Sequence, residues 1–397
     1  MRAACGRLLR PVIADLYVKS ESDEEGPLTQ HFQWWLRTLQ INQLPGLKYA
    51  VLAWLRQGTG GMIISVFIMF HWSLESAISR KMFGLRIALA MISCIMMALM
   101  LRLRLNHLLV AITYLRDVSV VVESCGPPRA RVRMARRARF CAKLVRFYEI
   151  YCWATELILM VVIAATKQSW HHTAAQAVVQ QLYGYSDGQT QATLAETMRW
   201  CLYPFQVIGT TCSVVVGYSL ISLIIVIYLC MSELYYSIGL VLEAHGCSAL
   251  WARQQSALTM ACLQLDAAIA DFIPHLLICN VVLPLLYALE VVLHGAEADL
   301  FAMALAPLVL VVFVPFCLVG DAMCSARAGV VGQAYAGPWL EERGEGLQVR
   351  RGMMQSATGL GGVLRGRGVG PLDRKLCGTT MANWFKFLQT FLEFAGR

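Results

Sequence analysis

In the C-terminal stretch "GTTMANWFKFLQTFLEFAGR", polar residues recur at Thr379, Asn383, Lys386, Thr390 and Glu393, at steps of four, three, four and three. On an α-helix those steps line up as one polar stripe. Trp384, Phe385, Leu388, Phe391 and Leu392 cover the remaining faces. If the helix lies in lipid, its polar stripe has to meet water or other protein. Two roles fit: lining a watery path along which ions are solvated, or packing against neighbouring helices. A second set of residues sits upstream, in "GDAMCSARAGVVGQAYAGPWLEE", where Ser325, Tyr335 and Trp339 stand among small, weakly polar residues. Aromatics flanked by residues that permit close approach suit a protein–protein anchor; packing within the chain suits them as well.

Residues able to carry out covalent chemistry are scarce. The sequence contains no nucleotide fingerprint, Walker loop or nucleophile elbow. "GLGGVLRGRGVG" (Gly359–Gly370) has the composition of a phosphate cradle, but it follows no strand pattern and reads as a connector. His171–His172 reads as a polar loop pair, and no His or Cys pair has metal-ligand spacing. No enzyme, metal site or cofactor is therefore expected. Glu156 is the carboxylate nearest the centre of an apolar run, either lining a polar site or facing a helix partner.

The elements that position these residues are apolar. The 397 residues are 57% hydrophobic and 15% charged, whereas soluble domains carry about a quarter charged residues. Runs approaching the roughly 20 residues that cross a bilayer recur along the chain. They lie at Gly60–Trp72, Leu85–Leu101, Tyr151–Ala165, Cys201–Leu229, His275–Leu293, Leu300–Gly320 and, as an amphipathic seventh, Cys377–Phe394. The fold class expected is an all-α membrane protein of seven transmembrane helices. The N-terminus has no apolar core of the signal-peptide kind. The 14 cysteines fall mostly in spans or in segments placed inside the cell, which argues against a disulfide framework.

Lys and Arg number seven through Arg56, eleven in Arg102–Arg146 and eight in Asp321–Lys375, while "HGAEAD" has none. Excess positive charge marks the cytoplasmic side. The N-terminus is then cytosolic and the C-terminus extracellular, the inverse of a G-protein-coupled receptor. The basic run "RARVRMARRAR" follows from this orientation and from contact with anionic lipid; nucleic acid is not an expected partner. Four regions follow: a cytosolic segment (1–52), six helices (53–320), an intracellular anchor (321–376) and a seventh helix (377–397).

The Gly-Asp start, central Ser325, Tyr335 and Trp339 four apart and the acidic residues after them resemble the corresponding segment of insect odorant receptors. The likeness continues through "VRRGMMQSATGL", "GVGPLDRKL" and "NWFKFLQTFLEF". It implies an odorant-binding subunit of a ligand-gated, non-selective cation channel in a sensory-neuron plasma membrane. The subunit would form a heterotetramer with an obligate co-receptor, through an anchor that includes Ser325, Tyr335 and Trp339. The last helix would line the pore, with Asn383, Lys386, Thr390 and Glu393 on the stripe and Gln389 near the gate. A small volatile ligand would bind in the outer half of the bundle, which nominates Met91, Ile95, Leu159, Val162, Tyr203, Ile208, Thr211 and Tyr287. Gustatory receptors share the architecture, but their usual Thr-Tyr before a terminal Gln-Phe is absent, with Ala382-Asn383 and Gln389-Thr390 standing there. A transporter is the reading from another class.

Overall fold

The computed structural model describes residues 26–39, 82–165, 188–294, 305–338, 344–358 and 363–395, with positions 303, 340 and 342. The expected first span at 60–72, most of the cytosolic segment 1–52, and Trp339 lie outside the described residues. The helices are α1 (Pro27–Leu39), α2 (Met82–Cys125), α3 (Pro128–Ala165), α4 (Gly188–His245), α5 (Ala249–Ile269) and α6 (Ile273–Leu277). They are followed by α7 (Leu283–His294), α8 (Val314–Ala336), α9 (Glu345–Thr358) and α10 (Arg374–Ala395), with π-helical turns at Ile278–Val282 and Val309–Phe313.

Three helices are far longer than a bilayer needs. α2, α3 and α4 have 44, 38 and 58 residues; at 1.5 Å per residue they reach about 57 to 87 Å, against a hydrocarbon core of about 30 Å. The basic connection expected between the second and third spans is thus no loop. It is a helical hairpin continuing both apolar runs, turned at Gly126-Pro127-Pro128, with proline at the first position of α3. The stretch expected to link spans four and five is helical too, as the end of α4 followed by α5.

α4 runs through the middle of the bundle, against α2, α3 and α8. Its most apolar window, within Gly217–His245, is 94% buried, and Ile273–Val292 and Val309–Ala336 are also long and apolar enough to cross a membrane. Hydropathy places the fourth span at Cys201–Leu229, but burial continues thirteen residues further, to Leu242, before Glu243 to His245 become exposed. Apolar sequence buried by protein and apolar sequence buried by lipid look alike. α4 stops where Gly246 adopts φ +77°, a left-handed conformation that glycine takes without a Cβ penalty.

α1 docks on α2 through Leu28, Phe32 and Leu36. Glu123 of α2 caps it, accepting the Leu28 amide at 2.9 Å and the Thr29 hydroxyl at 2.6 Å. The buried His31 accepts a hydrogen bond from Trp35 Nε1 at 3.2 Å, and burial pushes its ring down to about 4.

Candidate functional site

α10 meets the rest of the chain along one narrow stripe. Cys377, Met381, Trp384 and Leu388, at steps of four, three and four, pack on the core. Asn383, Lys386, Gln389, Thr390 and Glu393 are exposed. At 100° per residue the polar stripe centres nearly opposite the packed one. The helix therefore uses its apolar side to hold its own subunit and turns its polar side away. The Thr379 and Thr390 hydroxyls donate to the carbonyls of Lys375 and Lys386, at 3.0 and 2.9 Å. Phe385, Phe387, Phe391, Leu392 and Phe394 flank the stripe, 39 to 72% exposed.

The start of α10 is held firmly. Asp373 caps it, its Oδ1 accepting the Leu376 amide at 2.7 Å, and Arg374 pairs with Asp321 of α8 at 2.8 Å. The preceding residues, read from sequence as part of a connector, form a two-stranded turn of β1 (Arg365–Gly366) and β2 (Gly370–Pro371). Arg365 pairs with Asp266 at 2.6 Å, and the Arg367 amide donates to the carbonyl of Ala270 at 2.9 Å. A Cβ at Gly320 would collide with the Leu372 carbonyl oxygen, so glycine lets α8 touch the backbone between β2 and α10. Further along, Trp384 Nε1 donates at 3.2 Å to the carbonyl of Val281, inside a π-helical turn. The second π turn offers the Val311 carbonyl to the Tyr148 hydroxyl, at 2.8 Å. Residue for residue, each π turn gives a carbonyl to a side chain from another helix.

The residues nominated for a ligand divide into those that meet and those that do not. On α3, Cys152, Glu156 and Met160 step by four; on α4, Tyr203, Val207 and Thr211 do the same. These two rows face each other. The Thr211 hydroxyl donates to Glu156 Oε1 at 2.7 Å, and the Tyr203 hydroxyl reaches the Met160 carbonyl at 3.5 Å. Glu156 is 1% exposed. The sequence singled it out as a carboxylate within a span but did not place it among the ligand residues. Trp200, which stacks edge-on against Tyr203 at 5.8 Å, was not anticipated; its spacing of three from Tyr203 was the available signal. Tyr287 is buried on α7, Ile95 half-buried on α2 and Ile208 41% exposed on α4. The side chains of Met91, Leu159 and Val162 lie outside the description. A separate crevice between α2, α4 and α5, lined by Met97, Leu108, Leu220, Leu223, Ile224 and Phe272 among others, contains none of the nominated residues.

In the segment nominated as an anchor, α8 ends at Ala336, and Gly337 is extended at ψ 177° just ahead of Pro338, as the proline requires. Ser325 and Tyr335 are both exposed, Tyr335 at 67%. Beyond the proline, Glu342 accepts the Cys247 amide at 2.7 Å and pairs with the buried Arg350 at 2.6 Å. The Arg350 guanidinium holds the Glu342 carboxyl below the usual carboxylate range.

Comparison with solved structures gives the architecture a parallel. Olfactory receptor OR5 from Machilis hrabei aligns with a TM-score of 0.70 at 9% identity, over 92% of this chain and 99% of that one. The same receptor in complex with eugenol aligns at 0.64 and 12%, over the same shares. No protein-family model and no curated protein matches the sequence. The chain thus has the fold of an insect olfactory receptor.

Proposed function

We propose that the chain is the odorant-binding subunit of a heteromeric, ligand-gated, non-selective cation channel in the plasma membrane of a sensory neuron. One observation carries the proposal: within this fold, α10 packs by an apolar stripe and turns Asn383, Lys386, Thr390 and Glu393 outward. A polar face on a spanning helix needs water or partner subunits, and a ring of such helices supplies both. The seven-span topology, with N-terminus inside and C-terminus outside, follows the positive-inside balance. Ser325, Tyr335 and Trp339 belong to the intracellular anchor between subunits.

The α3–α4 face bearing Tyr203, Thr211 and Glu156 is the centre of the proposed ligand site, and Met91, Ile95, Leu159, Val162, Ile208 and Tyr287 remain its further candidates. Mostly apolar walls with a few polar groups suit a small volatile molecule. The eugenol complex of OR5 makes phenolic volatiles the first ligands to try.

Whole-cell recording tests this. Cells expressing the chain with an insect co-receptor should pass inward cation current on exposure to a panel of volatiles, and cells expressing the chain alone should pass little. Silence across a broad panel despite surface expression of both subunits would reject the channel reading.

A further inference from the structure

Helix α3 opens with an unusual charge balance. Between Pro128 and Tyr148 it carries eight basic residues and no acidic one. Two of the eight turn inward and are used there: Arg133 and Arg137 bind Glu233 of α4 at 2.8 and 3.3 Å. Five of the others, Arg129, Arg136, Arg139, Lys143 and Arg146, are exposed and follow one another at steps of seven, three, four and three. Those steps put them on a single face. Among the described residues none of the five has a carboxylate partner; Arg139 Nε reaches only the Ala135 carbonyl of its own helix, at 3.3 Å.

Val132 and Phe140, 58 and 49% exposed, already stand among the cations, and past Arg146 the face is apolar without a break. One step beyond Arg146 it continues as Phe147 and Ile150, and then Leu157 and Val161, which are 49, 63, 47 and 53% exposed. Large apolar side chains so exposed on a helix of this fold mark contact with acyl chains. If Ile150 stands at the edge of the hydrocarbon, Arg146, Lys143 and Arg139 lie about 6, 10 and 16 Å outside it. The headgroup layer is about 5 to 8 Å deep, and a charge is felt for about 8 Å beyond that at physiological salt. The three cations therefore fall within reach of lipid phosphates.

We infer that the exposed face of α3 from Arg139 to Arg146 is a docking surface for anionic phospholipid headgroups, with Phe147 in the interface and Ile150 at the edge of the adjoining acyl layer. Unopposed positive charge supplies the complementarity, and its run into a lipid-facing apolar face selects a membrane over an acidic soluble protein. The inference requires that α3 enter a bilayer; it does not depend on the chain binding odorants or conducting ions.

The full chain, purified in neutral detergent, would be mixed with phosphatidylserine and phosphatidylcholine in equal amounts, and the retained lipid counted by native mass spectrometry. Near an anionic surface each basic residue contributes roughly a fivefold preference, so enrichment of phosphatidylserine by at least about tenfold is expected. The triple variant Arg139→Gln, Lys143→Gln, Arg146→Gln should lose it while melting at the wild-type temperature, because the three side chains are exposed. Arg116→Gln, altering a half-buried arginine of α2 already paired with Asp117 at 2.6 Å, should keep the enrichment. Inorganic phosphate at millimolar concentration should not displace the lipid. Equal retention of both lipids by the wild type, undiminished enrichment in the triple variant, or displacement by inorganic phosphate would each overturn the inference.

Discussion

In the bundle around α4, Glu233 is 3% exposed and both of its oxygens are taken by arginines of α3. On α10, a shorter helix of 22 residues that is also partly apolar, Lys386 and Glu393 stand exposed. The first region satisfies its polar groups within the subunit, so its contacts are about stability. The second leaves them outward, where in the proposed channel other copies or a passing ion would complete their contacts. A substitution in the first should change whether the subunit folds; one in the second should change what the assembled protein conducts. The following experiments try that division, from the largest expected effect to the smallest.

Glu233→Ala should be the most damaging. It removes the acceptor for Arg133 Nε at 2.8 Å and Arg137 Nε at 3.3 Å, and Arg133 also lies over the Tyr236 ring at 3.7 Å. Breaking one side of a buried pair costs about 3 to 5 kcal/mol. The arginines are 42 and 27% exposed and can still reach water, so about 3 kcal/mol is expected. The check is the thermal unfolding midpoint of the purified chain. An unchanged midpoint would mean that the bundle does not depend on this cluster.

His31 offers a milder, tunable perturbation of the same region. Its ring is held neutral by burial and titrates near 4 instead of 6.5. The stabilisation is therefore complete above pH 6.5 and is lost as the pH falls from there towards 4, because the unfolded segment takes up the proton first. The docking of α1 should weaken by about 1 kcal/mol at pH 5.5 and about 3 kcal/mol at pH 4. The protection factors of the amides across 27–39, each taken relative to intrinsic exchange at the same pH, should fall accordingly on acidification. His31→Gln should flatten the response between pH 6.5 and 5; a slope that survives would place the titration elsewhere.

What the sequence disclosed follows the same division. The α10 stripe was legible because it rests on spacing within one helix, and the stop at Gly337-Pro338 because it rests on two adjacent residues. The basic hairpin was legible in its charge but not its shape: Arg and Lys counts report a side of the membrane, and arginine is as much at home in a helix as in a loop. The burial of Glu233 could not be read at all, since Arg133 lies a hundred positions away. Nor could the turn at 365–371, whose ties to Asp266 and Ala270 depend on where α5 ends. Among the residues nominated for a ligand, Tyr203 and Thr211 share a face by simple periodicity, whereas Glu156, which was not nominated, meets Thr211 only because α3 and α4 pack there.

Trp384→Phe lies on the boundary between the two regions. It keeps the apolar packing and deletes one hydrogen bond, from Nε1 to the Val281 carbonyl at 3.2 Å. The net loss should be about 1 kcal/mol, too little to unfold the chain. It acts where α10 grips the π turn of the neighbouring helix. Exchange of the amides around 380–388 should rise about fivefold, with the global unfolding midpoint moved by only a few degrees. A large fall in the midpoint would mean that α10 belongs to the folding core and would dissolve the division.

Lys386→Gln should have the smallest effect on the subunit and the most specific effect on the channel. The residue is exposed, midway along α10, and Glu393 is seven positions on, about 10 Å of rise away, too far for a direct pair within one helix. If the stripe faces the pore, each such lysine sits beside the path of permeating cations. A single charge about 7 Å from an ion in water opposes it by an amount worth roughly a threefold drop in conductance. Four in a ring would multiply that, whereas one or two diluted by co-receptor helices would be tolerated. The chain alone should therefore conduct poorly, and Lys386→Gln in the heteromer should raise single-channel conductance up to about threefold. Odorant potency should not move, because the α3–α4 face is built from other helices. An unchanged conductance with unchanged selectivity would mean that Lys386 does not face the pore, and that the outward stripe of α10 meets protein instead of ions.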